Sequence, residues 1–263
     1  MHKNDLWLPG HDVSDNYPAL NHEQLTEEWQ DYLGATAVAT TGVLGAVQAP
    51  TATVTKVASI DLCEVVRETH VGLARLLGRN ASHIPHFGSY YQTLGVERGH
   101  EIAVTTIMMN EVEVHPVSDI TAIAEITRSW RADGMLTIAN TATLPGCESA
   151  TIAFLKQHMP DCFDGIVFPR NHDGSGPITK ASALESVITD LPQASAVERV
   201  VHIDDAPHHI KAMLEHMGQM ASRAFAGIIP LYKGNEAYPA EAIAVANPLT
   251  AFKTADTFLR ADL

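Results

Sequence analysis

Cysteine is scarce: Cys63, Cys147 and Cys162 are the three present in 263 residues. That is too few for a disulfide framework, and isolated thiols of this kind fit a reducing, cytoplasmic compartment. Positive charge is scarce as well. Seventeen Lys and Arg stand against 31 Asp and Glu, a formal net charge of −14 with His neutral. No Lys or Arg occurs between Lys3 and Lys56. Such a surface repels phosphate backbones, which speaks against nucleic-acid binding as the main task. A small phosphorylated ligand held through a metal stays open. Long apolar runs are missing too. The stretch from Gly34 to Val54 is uncharged but studded with Thr and Gly, too weakly apolar for a membrane span. The opening MHKNDLWLPG lacks the basic-then-apolar order of a signal peptide. There is no GxGxxG after a strand, no GxxxxGKS/T, no GxSxG and no HExxH. These absences speak against nicotinamide dehydrogenases, P-loop NTPases, serine hydrolases and zincin-type sites.

What remains is ample for a folded core, with 46% hydrophobic and 18% charged residues. The length fits one α/β domain carrying an insertion, or two small domains. Residues 1–53 read as an N-terminal extension or linker. They offer one helix at Glu23–Leu33 and then an Ala/Thr/Gly/Val stretch that reads as a linker or a strap packed on the core. From there short apolar runs alternate with helical patterns, the mark of a parallel sheet covered by helices. The run Val54–Ile60 ends at Asp61 and precedes a helix-like stretch, Glu64–Leu77. A helix over Ser118–Arg131 leads to a strand over Met135–Ala139 that ends at Asn140-Thr141. A helix over Glu148–His158 leads to Gly165–Phe168, and one over Thr179–Ile188 leads to Arg199–Ile203, ending at Asp204-Asp205. Helix Pro207–Met217, apolar runs Phe225–Ile229 and Ala242–Ala246, and helix Pro248–Leu259 complete the pattern. Ser118 and Thr179 read as caps, and Pro207 and Pro248 as first-turn prolines. The interval from Asp61 to Thr141 exceeds what one crossover needs. Residues 67–116 are therefore predicted to be an inserted helical cap at the carboxyl edge of the first strand, placed to act as a lid. The core would be 54–66 and 117–263, a doubly wound parallel α/β sheet.

Chemistry gathers at strand ends. Asp61, Asn140-Thr141 and Asp204-Asp205 all fall at that carboxyl edge, and Lys180 opens the helix feeding the last of these strands. Carboxylates, a hydroxyl and an ammonium suit Mg²⁺-assisted phosphoryl transfer: hard oxygen ligands hold the cation, while Lys180 and a helix N-terminus stabilise phosphate oxygens. Each feature also has a plainer reading. An Asp at a strand end often caps the next helix, an acidic pair before Pro207 often marks a turn, and a lone lysine is usually solvent-exposed. The fourteen histidines include HIPH at His83–His86 and His208-His209, but none shows zinc-site spacing, so they read as structural or solvent-facing. In the loop before Lys180, Arg170 and Asn171 are candidate substrate contacts, with His172 and Asp173 beside them. Phe87, Tyr90 and Tyr91 read as packing within the cap.

Four segments in order carry a resemblance. VASIDLCEVV resembles the first motif of the haloacid dehalogenase superfamily, LTIANTA the second, GPITKASAL the third, and VVHIDDAPHHI the acidic fourth. The resemblance spans roughly residues 54–259, and the long insertion is similar to the helical caps of the family's nucleotidase and phosphatase branches. It implies a Rossmann-like core and a Mg²⁺-dependent phosphohydrolase acting on a small phosphate ester or nucleotide-like metabolite, with Asp61 as nucleophile and metal ligand. It further implies a second ligand in the Cys63 carbonyl and a direct ligand in Asp205, with Asp204 beside it. Thr141, or Asn140 if the register shifts by one, would bind the phosphoryl oxygens. Lys180 would neutralise the nucleophile and the transferring group. One position departs from the pattern. Family phosphatases carry a general-acid Asp two residues after the nucleophile, where this chain has Cys63. An unperturbed thiol, with a pKa near ~8.5, is a poor proton donor to an alkoxide. Either the substrate has a good leaving group, or a neighbour such as Glu64 or a cap histidine supplies the proton. The third possibility is that the chain binds a phosphorylated ligand or a protein partner without turnover.

Overall fold

The computed structural model describes residues 19–69, 114–143, 145–173, 178–217, 223–230 and 238–261. The chain enters through α1 (His22–Leu33), closed at its start by a reciprocal capping box between Asn21 and Gln24 and at its end by Gly34, whose φ of 61° is left-handed. β1 (Ala37–Ala39) and β2 (Leu44–Gln48) follow, so the stretch expected to be a linker or strap supplies two strands of the main sheet. Pairing rescues its weak apolarity. Gly45 packs so closely against Val167 and the Ile166 carbonyl that a Cβ would meet them at 2.7 and 2.8 Å.

β3 (Lys56–Ile60) is the first central strand. Over residues 64–68 the helix expected at Glu64–Leu77 does not form; Thr69 is helical, and the remainder of that stretch lies outside the described residues. Glu64 has a φ of 57°, and the amides of Val66 and Arg67 fold back onto the Leu62 carbonyl, each at 3.0 Å. The turn delivers β4 (Arg67–Glu68), which pairs antiparallel with β5 (His115–Pro116). The two ends of the expected insertion are thus paired, while the segment expected to form the cap, with His83, His86, Phe87, Tyr90 and Tyr91, lies outside the described residues. Helix α2 (Ile120–Ala132) begins after Asp119 without a side-chain cap, not at Ser118. Then come β6 (Leu136–Asn140), α3 (Glu148–His158), β7 (Gly165–Phe168), α4 (Lys180–Thr189), β8 (Arg199–Ile203), α5 (Pro207–Met217), β9 (Ala224–Pro230), β10 (Ile243–Val245) and α6 (Pro248–Arg260). Thr179 caps α4 through Ser182 N, and Asn247 caps α6 through Thr250 N.

Among the described residues the main sheet has eight strands in the order β1-β2-β7-β6-β3-β8-β9-β10. From β7 through β10 it is parallel, as alternating strands and helices require; β1 and β2 add an antiparallel edge. Strand residues alternate between two cores. Ala58, Ile60, Ala139, Ile166, Val201 and Ile203 join α1, α2, α3 and α6 on one face. Val57, Leu136, Ile138, Val167 and Val200 join α4 and α5 on the other. Helices on both faces make the sheet doubly wound. Among the described residues no helix is long and apolar enough to cross a membrane.

Candidate active site

Parallel strands that end level with one another deliver their next residues to one place. Asp61, Thr141 and Asp204 each stand one residue beyond their strands, with amides bonded to the carbonyls of Ile203, Val167 and Ile228. Asp61, Asp204 and Asp205 each offer a carboxylate oxygen, and these lie within 4.8 Å of one another. Lys180, from the first turn of α4, reaches between them. Its Nζ is 2.7 Å from Asp61 Oδ1 and 2.6 Å from Asp204 Oδ2, with all three side chains at most 5% exposed. Residues 61, 180, 204 and 205 are therefore neighbours, although 143 positions separate the first from Asp204.

The charges do not balance. Three carboxylates face one ammonium, and the protonation equilibria register it. Burial, reinforced by Asp204, pushes the Asp61 carboxyl above the usual carboxylate range despite Lys180. Asp205 is driven well above that range by burial and by the negative charges of Asp204, Asp61 and Glu64. Asp204 goes the other way. Burial alone would raise it, but Lys180 and hydrogen bonds from His202 and His209 hold it well below. Lys180 is held above its ordinary value, since Asp204 and Asp61 outweigh the cost of burying it. A cluster of hard oxygen donors short of positive charge is what a divalent cation completes, so the donor set fits Mg²⁺.

The remaining predicted residues divide. Asn140 points beneath the cluster, donating from Nδ2 to the Lys180 carbonyl (3.0 Å) and Ser59 Oγ (3.3 Å). Thr141 Oγ1 lies 3.1 Å from Thr143 Oγ1. Cys63 Sγ accepts from Arg67 at 3.4 Å, and burial pushes its thiol up to about 11. Arg170, expected at the substrate, is buried in an ion pair with Glu148 (3.0 Å) and donates to the Thr143 carbonyl (2.9 Å). Asn171 is half-buried, and His172 and Asp173 are exposed.

Several residues escaped the sequence reading. His202 is fully buried between Ser59 and Asp204, and burial pushes its imidazole below the usual range. His209 Nδ1 stands 3.1 Å from Asp204 Oδ2. Arg67 donates to the hydroxyls of Thr143 and Thr151, each at 3.1 Å. Glu64, by contrast, was offered by the sequence as a substitute proton donor; it accepts from the Thr69 amide at 3.0 Å and from its hydroxyl. A polar residue inside an apolar strand, as in VVHID, was the signal available for His202.

The sequence matches no protein-family profile and no curated protein. Solved structures do match. A dehalogenase crystal structure superposes over 76% of this chain and 96% of its own, with a TM-score of 0.50 at 10% identity. A haloacid dehalogenase-like family hydrolase from Streptococcus pneumoniae matches over 77% and 98% of the two chains, with a TM-score of 0.49 at 16% identity. A haloacid dehalogenase-like family hydrolase from Xanthomonas campestris matches over 79% and 97%, with a TM-score of 0.44 at 13% identity. At such identities the likeness speaks for the fold alone, a doubly wound α/β core shared with the dehalogenase structure.

Proposed function

We propose that this chain is a divalent-cation-dependent phosphohydrolase in which Asp61 is the nucleophile. The observation that carries the reading is Lys180 held between Asp61 and Asp204, 2.7 and 2.6 Å away, with Asp205 beside them. Asp61 and Asp205, with the Cys63 carbonyl, would hold Mg²⁺, which when bound offsets charge on the phosphoryl oxygens and on the carboxylates. The free carboxylate oxygen of Asp61 attacks phosphorus as the bond to the leaving oxygen breaks, giving an aspartyl phosphate and the leaving group. Water then cleaves the acyl phosphate, returning Asp61 and releasing inorganic phosphate. Lys180 holds Asp61 in line and shields its charge from the incoming phosphate. Thr141 would bind the phosphoryl oxygens; Asn140, the alternative if the register shifted by one, has its amide hydrogens directed to the Lys180 carbonyl and Ser59 Oγ instead.

Cys63 narrows the substrate. A thiol raised to about 11 and fixed as an acceptor from Arg67 is a weak acid for an alkoxide leaving group. Anhydrides and acyl phosphates, whose leaving groups depart unprotonated, suit the site better than alkyl monoesters; small phosphate esters and nucleotide-like metabolites remain the substrate class. The same observation favours a second reading, a site that binds a phosphorylated ligand without turnover. The test is phosphate release from a panel of acyl phosphates, anhydrides and monoesters with Mg²⁺. Wild type turns over some of the panel, Asp61→Asn turns over none, and Cys63→Asp gains on alkyl monoesters. If wild type and Cys63→Asp are both inert while acetyl phosphate or inorganic phosphate still binds, the binding-only reading replaces the hydrolase.

A further inference from the structure

Beneath the acidic cluster lies a closed circuit of hydrogen bonds that ties Lys180 to buried side chains with no part in the proposed reaction. Asn140 ends β6, Ser59 lies in β3 and His202 in β8, and all three point to the α4/α5 face, side by side across adjacent strands. Ser59 and His202 are direct register partners. None of the three is exposed, and neither is Asp204. Asn140 Nδ2 donates to the Lys180 carbonyl at 3.0 Å and to Ser59 Oγ at 3.3 Å. Ser59 Oγ is 2.9 Å from His202 Nδ1, and His202 Nε2 is 3.2 Å from Asp204 Oδ2. Lys180 Nζ donates to that same oxygen at 2.6 Å. The circuit starts and ends on Lys180.

Donor and acceptor chemistry fixes its direction. The Lys180 carbonyl only accepts, so the Asn140 amide must present its nitrogen there. The Asp204 carboxylate only accepts, so His202 Nε2 carries a hydrogen. A neutral imidazole then has a lone pair at Nδ1, which takes the Ser59 hydroxyl hydrogen, while the Ser59 oxygen accepts from Asn140. Every hydrogen in the ring finds an acceptor. Asp204 is then saturated: Lys180, His202 and His209 converge on Oδ2, and the Ala206 amide donates to Oδ1 at 2.8 Å. One of its oxygens holds the Lys180 ammonium together with the two histidines, and the other is held by the backbone.

We infer that His202, kept as the Nε2–H tautomer by Ser59 and Asn140, is a positioning residue: through Asp204 it sets where the Lys180 ammonium stands beside Asp61. Its kinetic consequence rests on the phosphohydrolase reading; the position of its proton does not. The full-length chain labelled with ¹⁵N-histidine and ¹⁵N-lysine provides the test by NMR, with the His202 signals identified by their loss in His202→Gln. The expected spectrum has a protonated Nε2 and an unprotonated Nδ1. A proton on Nδ1 overturns the inference. In His202→Leu the donor to Asp204 is lost, so kcat falls about 10- to 100-fold, the scale of a lost buried hydrogen bond to a charged group. KM stays within about twofold, as for an interaction made through the catalytic lysine rather than the substrate. The Lys180 Nζ resonance moves with it. His202→Gln, whose amide can donate at Nε2, restores kcat and the lysine signal. Equal impairment of the Leu and Gln variants, or an unaltered kcat in His202→Leu, overturns the positioning role. Should His202→Leu fail to fold, Ser59→Ala carries the test, because Nδ1 loses its donor; an unchanged kcat there also overturns it. A wild type inert on every phosphoester defeats the hydrolase reading alone, and the two nitrogen spectra then decide the proton and the lysine by themselves.

Discussion

Substituting Met for Lys180 removes the ammonium while keeping most of the side chain's length. The lysine is shared by two carboxylates, at 2.7 and 2.6 Å, in a place with almost no solvent. Breaking such a pair from one side leaves the partners charged and unpaired, a loss of about 3–5 kcal/mol. For a chain of this size that corresponds to a fall in Tm of about 6–20 °C. The loss depends on pH in a direction the structure dictates. In the wild type Lys180 holds the Asp204 carboxyl well below its ordinary value. The resulting stabilisation is fully present above the unfolded carboxylate pKa of ~3.9 and fades as pH falls through the lower folded value. Without the ammonium, burial and mutual repulsion raise both carboxyls above ~3.9 in the folded state, so each proton taken up on acidification relieves the variant. The stability gap between wild type and Lys180→Met is therefore widest near neutrality and narrows toward pH 5. Urea unfolding followed by tryptophan fluorescence at several pH values measures it. A gap below about 1 kcal/mol, the scale of an exposed pair, or one that widens on acidification, would refute the reasoning.

Three further outcomes follow from the same geometry. Mg²⁺ raises Tm, by about 2.7 kcal/mol of added stability at a hundredfold excess over its Kd, and Asp205→Asn abolishes most of the shift in thermal melts. Arg170→Met costs about 3–5 kcal/mol, because Glu148 is left buried without its partner; KM on the best substrate stays unchanged, whereas a rise would return Arg170 to the substrate. The thiols are sluggish in the folded chain: Cys147 is buried, and burial raises Cys63 to about 11 and Cys162 to about 12. Ellman's reagent at pH 8 should label none rapidly and all three after unfolding in guanidinium.

How far the chain could be read in advance varied with the physics of each segment. β7, β8, α3 and α5 fall on the residues marked in advance: β7 and β8 are short strands buried along their whole length, and α5 opens on Pro207. Asp61, Asp204 and Asp205 could be placed together because parallel strands project their ends to one edge, and Lys180 because it opens the helix that feeds β8. β1 and β2 were not: Ala, Gly and Thr carry little periodicity, and their stability comes from pairing with one another and with β7. The turn at Glu64 was hidden because a positive φ at a glutamate leaves no compositional trace. Arg170 reads from sequence as a loop cation near the site; its burial against Glu148 depends on how α3 docks, which no local pattern encodes. His202 was passed over because a single polar residue in an apolar strand gains meaning only from Ser59 beside it in the register.

The antiparallel edge has a consequence for assembly. β7 is buried along its whole length, and its outward carbonyls and amides are satisfied by β2, a segment some 120 positions earlier in the chain. Helix α1 clamps the same border, with Trp29 Nε1 donating to the Asp164 carbonyl at 3.1 Å and Tyr32 to the Met159 carbonyl at 2.7 Å. Stripped of residues before position 50, the protein would present a bare, greasy ribbon to its neighbours, and copies would stack along it. What looks in the primary structure like filler shields the long buried border of the sheet and leaves only a three-residue strand at its rim.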